Sequence, residues 1–173
     1  MATAIIDTTQ YLTFILDGEE FALDIAKVRE VLDYTDITKV PRMPEFLRGV
    51  INLRGNVVPV VDLKMQLGMA TTERGVNTCI IIADVNVGGE TVQMGALADS
   101  VQEVLELDPK HIEPAPRVGS IKSEFLRGMG KKDEGFLIIL DIDKVLSTSE
   151  AGHLREAAEA GEAEDAVKLK AAP

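Results

Sequence analysis

The pentapeptide Glu45-Phe46-Leu47-Arg48-Gly49 returns as Glu124-Phe125-Leu126-Arg127-Gly128, an offset of 79 residues from Phe46 to Phe125. At that offset residues 57–61 lie over residues 136–140, both apolar, and Asp62 lies over Asp141. Upstream, Val28-Arg29-Glu30-Val31-Leu32 matches Val101-Gln102-Glu103-Val104-Leu105 at an offset of 73, from Val28 to Val101. The difference between the two offsets falls in a longer second connection around residues 115–123. A repeated unit of this size is too long for a solenoid and reads instead as a pseudo-symmetric pair. The expected architecture is two small β-barrels, since closing a sheet removes its exposed edges. Their seam should carry a groove, a common place for binding.

Composition agrees with that frame. Hydrophobic residues make up 46% of the 173, aromatics only 4%, and Trp is absent, so the core is aliphatic and suited to strands. The length allows one domain or a closely fused pair. Residues 11–16 and 21–25 read as a hairpin about Asp17-Gly18-Glu19-Glu20. Ile25, Val28, Val31 and Leu32 fall at helix-like spacing, which predicts a short helical turn leading into extended chain. Residues 45–48 read as one more turn, stopped by Gly49. Residues 50–54 and 57–61 then flank Gly55-Asn56, a two-residue loop of the kind that accepts positive φ. Pro59 cannot donate to a ladder, which predicts an edge or a bulge. Asp62 is placed to cap a helix over residues 63–67, closed by Gly68. In the second half, residues 78–85 and 91–97 are strands about Gly88-Gly89. Residues 100–107, a Pro-punctuated stretch 109–116, a strand 136–140 and a helix 142–146 capped by Asp141 follow. The folded unit is therefore expected over residues 10–146, as repeat halves 11–67 and 78–146 with strands open to exchange between them. Residues 147–173, dominated by Ala, Glu and Gly, read as a partly helical or disordered tail without a core of its own.

Several function classes are disfavoured. A net charge of −11 repels phosphate backbones and anionic lipid, so no nucleic-acid partner is expected. No apolar run is long enough to cross a membrane, and the N-terminus lacks a signal-peptide pattern, so a cytoplasmic location is expected without membrane insertion. Cys79 is the single cysteine and reads as a small buried thiol, with no intramolecular disulfide open to it. His111 and His153 make no zinc spacing with it, and no metal or cofactor is expected. Gly88-Gly89 lacks the Lys-Ser/Thr of a phosphate loop. Gly119-Ser120 is not a nucleophile elbow, and Ser147 and Ser149 have no partnered histidine. Asp141 and Asp143 read as a helix cap and a solvated carboxylate. With no catalytic residues assigned, the chain reads as a non-enzyme.

Arg54 resists a bland account. It stands beside the hairpin loop, where a long cation is exposed. The second copy has Lys131-Lys132-Asp133-Glu134 there and keeps none of Asn52-Leu53-Arg54-Gly55. The first-copy motif is thus expected to have a local duty that the second lacks. Gly49 and Gly128 occur in both copies and read as structural.

Three segments closely resemble the CheW family: residues 10–14, residues 26–31, and the run 46–63 with its Asn-Leu-Arg-Gly and Val-x-Pro-Val-Val-Asp-Leu. Residues 101–105 and 112–116 add weaker matches in the expected order. The resemblance covers about residues 10–146. It implies an all-β fold with a few short helices, as two pseudo-symmetric five-stranded SH3-like β-barrels around a shared apolar seam. It also implies a chemotaxis adaptor between the cytoplasmic tips of methyl-accepting chemoreceptors and the regulatory domain of the histidine kinase CheA, with CheW–CheW ring contacts and no catalysis. A receptor tip would dock as a helix in a groove. Carried over by position, Val28, Glu30, Gly49 and Arg54 match sites linked to receptor or kinase coupling, with Asn52 and Gly55 completing the motif. An adaptor of the same fold serving pili or a second messenger, or a small-ligand module or enzyme using the seam, are the alternatives.

Overall fold

Apolar runs without alternation, such as Ile80-Ile81-Ile82 and Leu137-Ile138-Ile139-Leu140, need cover on both faces of their strands. The computed structural model describes residues 9–114, 123–132 and 135–146, and supplies that cover with three apolar cores. Its strands are β1 (Thr9–Leu16), β2 (Glu19–Asp24), β3 (Val28–Asp33), β4 (Leu47–Leu53), β5 (Asn56–Asp62), β6 (Cys79–Val87) and β7 (Glu90–Ala98). They continue with β8 (Ser100–Leu107), β9 (Ile112–Glu113), β10 (Leu126–Lys132) and β11 (Gly135–Leu140). Two one-turn helices follow β5 and β11: α1 (Leu63–Gln66) and α2 (Ile142–Leu146). The expected tail 147–173 and the longer connection at residues 115–122 lie outside the described residues.

The strands form two sheets, ordered β3-β6-β7-β5-β4 and β8-β1-β2-β11-β10-β9. The orders coincide when β1 to β5 are replaced by β6, β7, β8, β10 and β11. Each hairpin, β1–β2 or β6–β7, is therefore inserted among strands of the other half. The joints are the two parallel pairings, β5 with β7 and β11 with β2. All other pairings are antiparallel. Each sheet then closes through the chain leaving its edge strand. Beyond β3, Thr38 bridges Val50 of β4, with N–H···O distances of 2.9 and 2.8 Å. Beyond β8, β9 pairs with β10. The sixth strand in one sheet is thus the two-residue counterpart of a single bridge in the other.

Side chains alternate between barrel interior and seam. Ile80, Ile82, Val58, Val60, Ile51 and Leu97 fill one barrel, and Tyr11, Ala22, Leu107, Leu137 and Ile139 fill the other. Ile81, Ile138 and Leu140 turn the opposite way into the shared seam, where Phe14, Phe21, Leu16, Leu23, Leu63 and Met94 join them. Phe14 and Phe21 stack with ring centroids 6.1 Å apart.

Several local expectations shift. The helix-like spacing after Ile25 yields only a 3-10 turn, Ile25–Lys27, held by Asp24 accepting the Ala26 N–H at 2.9 Å; Val28 is already extended. The tight hairpin loop is Arg54-Gly55, with φ of 51° and 88°, rather than Gly55-Asn56, which places Asn56 in β5. Two successive positive φ values suit a primed turn, and the Asn52 carboxamide fixes it by accepting the Gly55 N–H at 2.8 Å. Pro59 sits on an internal strand, but β5 pairs with β7 only from Val60 onward, so the ladder starts after the missing donor. Gly49 does not stop a turn. It lies in β4 at a bulge, and Gly128 lies at the matching bulge in β10. There the closing segment crosses the strand. A Cβ on Gly49 would stand 2.1 Å from the Thr38 carbonyl oxygen, and one on Gly128 2.8 Å from that of Glu113.

Gly49, at φ +140°, therefore has no room for a side chain, whereas Gly55, at φ +88°, has open space around it. Gly49→Ala is expected to cost about 3 kcal/mol or more, and Gly55→Ala about 1 kcal/mol from its backbone alone. Chemical denaturation of the two variants checks the order.

Candidate functional site

The edge strand β3 carries a bulge between Val28 and Glu30, where it pairs with Ala83 and Ile82 of β6. The β8–β1 pairing is irregular at the matching place, between Leu12 and Phe14 of β1 opposite Val104 and Val101. There the Thr13 hydroxyl donates to the Glu103 carbonyl at 2.9 Å and accepts its N–H at 3.1 Å. Bulges redirect side chains, and Glu30 turns toward the β4–β5 hairpin and Glu103 toward the β10–β11 hairpin on the far side of their sheets.

On the first-half side, the Arg54 guanidinium meets the Glu30 carboxylate with both prongs, Nη2 to Oε2 and Nη1 to Oε1, the latter at 3.3 Å. This is the fork geometry available to arginine and carboxylate. Glu30, Asn52, Arg54 and Gly55 thus come together at one barrel end. Val28 lies two residues along β3 and packs against the seam core. Gly49 is set apart: five residues along β4 from Arg54, roughly 16 Å of strand, buried beneath Thr38.

The matching place in the second half is not empty of charge. Lys132 donates to Glu103 at 3.0 Å and to Glu20 at 2.7 Å, and these bonds, Glu20 first, hold its ammonium above the usual lysine pKa. A cation therefore stands at this place in both copies, and each barrel carries an ion pair between β3 or β8 and the hairpin on the far side of its sheet. What differs is presentation. The Arg54 side chain is 68% exposed and Lys132 only 21%, so one cation faces outward and the other is enclosed by carboxylates.

Sequence reasoning missed a second charged arrangement. Asp62 occupies the N-cap position of α1 but makes no side-chain capping bond. Its fully buried carboxylate instead accepts the Thr72 N–H at 2.8 Å, the Thr72 hydroxyl at 2.7 Å and Arg48 Nη1 at 3.1 Å. Arg48 also donates to the Thr72 carbonyl at 3.0 Å. The node fastens the segment joining the halves. Beyond it Arg74 lies 4.4 Å over the Tyr34 ring. Arg74 and Tyr34 border an open cleft of about 590 Å³ with Asp33, Val76 and Thr78. The signals in the sequence were Arg48 within the repeated pentapeptide and the recurrence of Asp62 at Asp141; nothing local points to Thr72.

Asp141 does cap α2, accepting the Lys144 N–H at 3.1 Å. Asp143 is not merely solvated: it pairs with Lys27 at 2.7 Å and accepts the Asn86 N–H at 2.8 Å, because α2 packs on β6. Cys79 is buried, and burial above all, then the charges of Asp33 and Asp99, push its thiol pKa up. His111 ends an exposed 3-10 turn, Pro109–His111. Among the described residues no group of three or more His, Cys, Asp or Glu is arranged to hold a metal ion, and no helix is long and apolar enough to cross a membrane.

A family model for the CheW-like domain matches residues 10–150. The chain belongs to the CheW-like domain family. It is 37% identical over 142 residues to the chemotaxis protein CheW of Klebsiella aerogenes, covering 82% of this chain and 83% of that protein. It is 33% identical over 150 residues to the CheW of Rhizobium meliloti, covering 86% and 92%. Among solved structures, the scaffolding protein TtCheW from Thermoanaerobacter tengcongensis aligns with a TM-score of 0.74 at 35% identity. That alignment covers 83% of this chain and 95% of TtCheW. The all-β, twin-sheet architecture expected from the sequence is that of this CheW neighbour.

Two outcomes follow for the buried groups of this CheW-like chain. Asp62→Ala leaves Arg48 and both Thr72 donors without their acceptor and is expected to cost about 3 kcal/mol, measured by urea denaturation. Cys79 in the native protein should react with a thiol reagent no faster than the protein opens, and quickly once urea unfolds it.

Proposed function

We propose that this chain is a chemotaxis adaptor that couples methyl-accepting chemoreceptors to the histidine kinase CheA by binding alone. The observation that carries the reading is family membership across residues 10–150, with relatives named chemotaxis protein CheW and a structural neighbour titled a scaffolding protein. The coupling unit in this reading is residues 10–146, working in the cytoplasm at membrane-associated receptor arrays. Its partners are the CheA regulatory domain, a receptor tip docked as a helix, and further copies of itself in a ring.

Arg54 is the residue on which this reading places most weight. A guanidinium is permanently charged and grips carboxylates in a plane. Arg54 is held at the turn by Glu30 yet keeps most of its surface outward, so a partner's carboxylate can share the fork. Glu30 then aims the arginine, and Asn52 and Gly55 shape the turn that projects it. Val28 and Gly49 act through the frame: Val28 packs on the seam, and Gly49 lets the closing segment cross β4.

Because exposed ion pairs contribute about 1 kcal/mol or less, Arg54→Glu should shift Tm by only about 2–4 °C. Reconstitution of CheA with a receptor fragment should nevertheless lose most receptor-dependent kinase control in that variant. Unaltered kinase control by folded Arg54→Glu would sink the role of Arg54. If no kinase control or binding appears with the unmodified chain either, the adaptor reading itself fails. The double variant Glu30→Arg/Arg54→Glu rebuilds the internal pair in reverse. It should stay defective if the cation meets a partner and recover if the pair only closes the barrel.

A further inference from the structure

The two strand orders raise a question of pairing. Because β1–β2 and β6–β7 occupy equivalent places, the strand order alone also allows the unexchanged arrangement, β1–β2 between β3 and β5 and β6–β7 between β8 and β11. Something in the side chains must select between two sheets of the same plan.

Two ion pairs stand where the choice is made. In each barrel the one-turn helix after the last strand of a repeat touches the turn after the inserted hairpin. On one side Lys64 of α1 pairs with Asp99, between β7 and β8, at 3.3 Å. On the other, Asp143 of α2 pairs with Lys27, between β2 and β3, at 2.7 Å. Lys64 and Asp143 are related by the offset of 79, and Lys27 and Asp99 lie within one residue of the offset of 73. The pairs are therefore pseudo-symmetric partners of opposite polarity.

We infer that this reversed polarity is a pairing code that selects the exchanged arrangement of the two halves over the unexchanged one. In the unexchanged arrangement α1 would meet the turn after β2, bringing Lys64 against Lys27, and α2 would meet the turn after β7, bringing Asp143 against Asp99. Both contacts become like-charge contacts, a repulsive device of the kind that specific pairing uses. Lys64 has little freedom to swing away. The Lys64 side chain is only 9% exposed, so water screens it poorly. Asp99 also accepts the Asp17 N–H at 2.7 Å, and Asp143 the Asn86 N–H at 2.8 Å. The Asp17 amide lies in the β1–β2 hairpin beside β8, and the Asn86 amide in β6.

The code is tested by reversing one pair alone. Lys27→Asp/Asp143→Lys preserves an ion pair in both arrangements and so removes the charge discrimination while leaving the native contacts opposite in sign. Adding Lys64→Asp/Asp99→Lys reverses both pairs and restores it. The readout is a disulfide between Gln10→Cys and Glu106→Cys in a full-length Cys79→Ala background, refolded while reduced and then oxidised. Gln10 and Glu106 are exposed and directly opposed on β1 and β8, a spacing a disulfide accepts, and lie in different barrels after the change. The fraction that fails to form the intramolecular crosslink should rise about fivefold in the single-pair reversal, the change expected of about 1 kcal/mol. It should return to the background value when both pairs are reversed. Full crosslinking in the single-pair reversal overturns the inference, and so does an equal loss in both reversals, which would trace the defect to the substitutions and not to polarity.

Discussion

Parallel pairing of β5 with β7 and of β11 with β2 is the constraint on which the rest of this molecule depends. Each joint is short, with three and two residue pairs respectively, yet each places one half's hairpin inside the other half's sheet. Once the hairpins are exchanged, neither half can keep its sheet without the other. The joined strands then need apolar cover on two faces, one inside the barrel and one on the seam. That is why Ile80-Ile81-Ile82 shows no alternation although it belongs to a mostly antiparallel sheet: Ile80 and Ile82 fill a barrel while Ile81 fills the seam.

Repetition made this frame legible. The doubled pentapeptide locates β4 and β10, and the Val-x-Glu-Val match locates β3 and β8 with their bulges. What could not be read was which hairpin joined which half, since residues of both halves satisfy the same pattern. Local signals failed where a tertiary contact overrode them. Gly49 looks like a turn stop because its neighbours read as a helical turn, but the Thr38 carbonyl crossing it is eleven residues upstream and leaves no local trace. Asp62 looks like a helix cap because it precedes Leu63, and it would serve as one had Thr72 and Arg48 not offered a buried carboxylate three donors.

The candidate site was legible in part for the same reason. Glu30, Asn52, Arg54 and Gly55 were picked out from motif and resemblance, and they do assemble at one barrel end. Lys132 supplies the second barrel with a closing cation, one position off the register of Arg54. The contrast that remains is physical: a planar fork left exposed against an ammonium enclosed by two carboxylates. The first faces solvent, and the second is engaged within the fold.

Charge thus carries the asymmetry that a duplicated fold otherwise lacks. The apolar cores discriminate weakly, because aliphatic side chains of similar volume substitute for one another at small cost. Ion pairs are not interchangeable, because sign matters and a reversed partner repels. Lys64 with Asp99 and Asp143 with Lys27 sit in equivalent places with opposite polarity, as Arg54 and Lys132 sit in equivalent places with different exposure. The cores therefore set the plan shared by both halves, and the charged residues at its equivalent points give each half a separate identity.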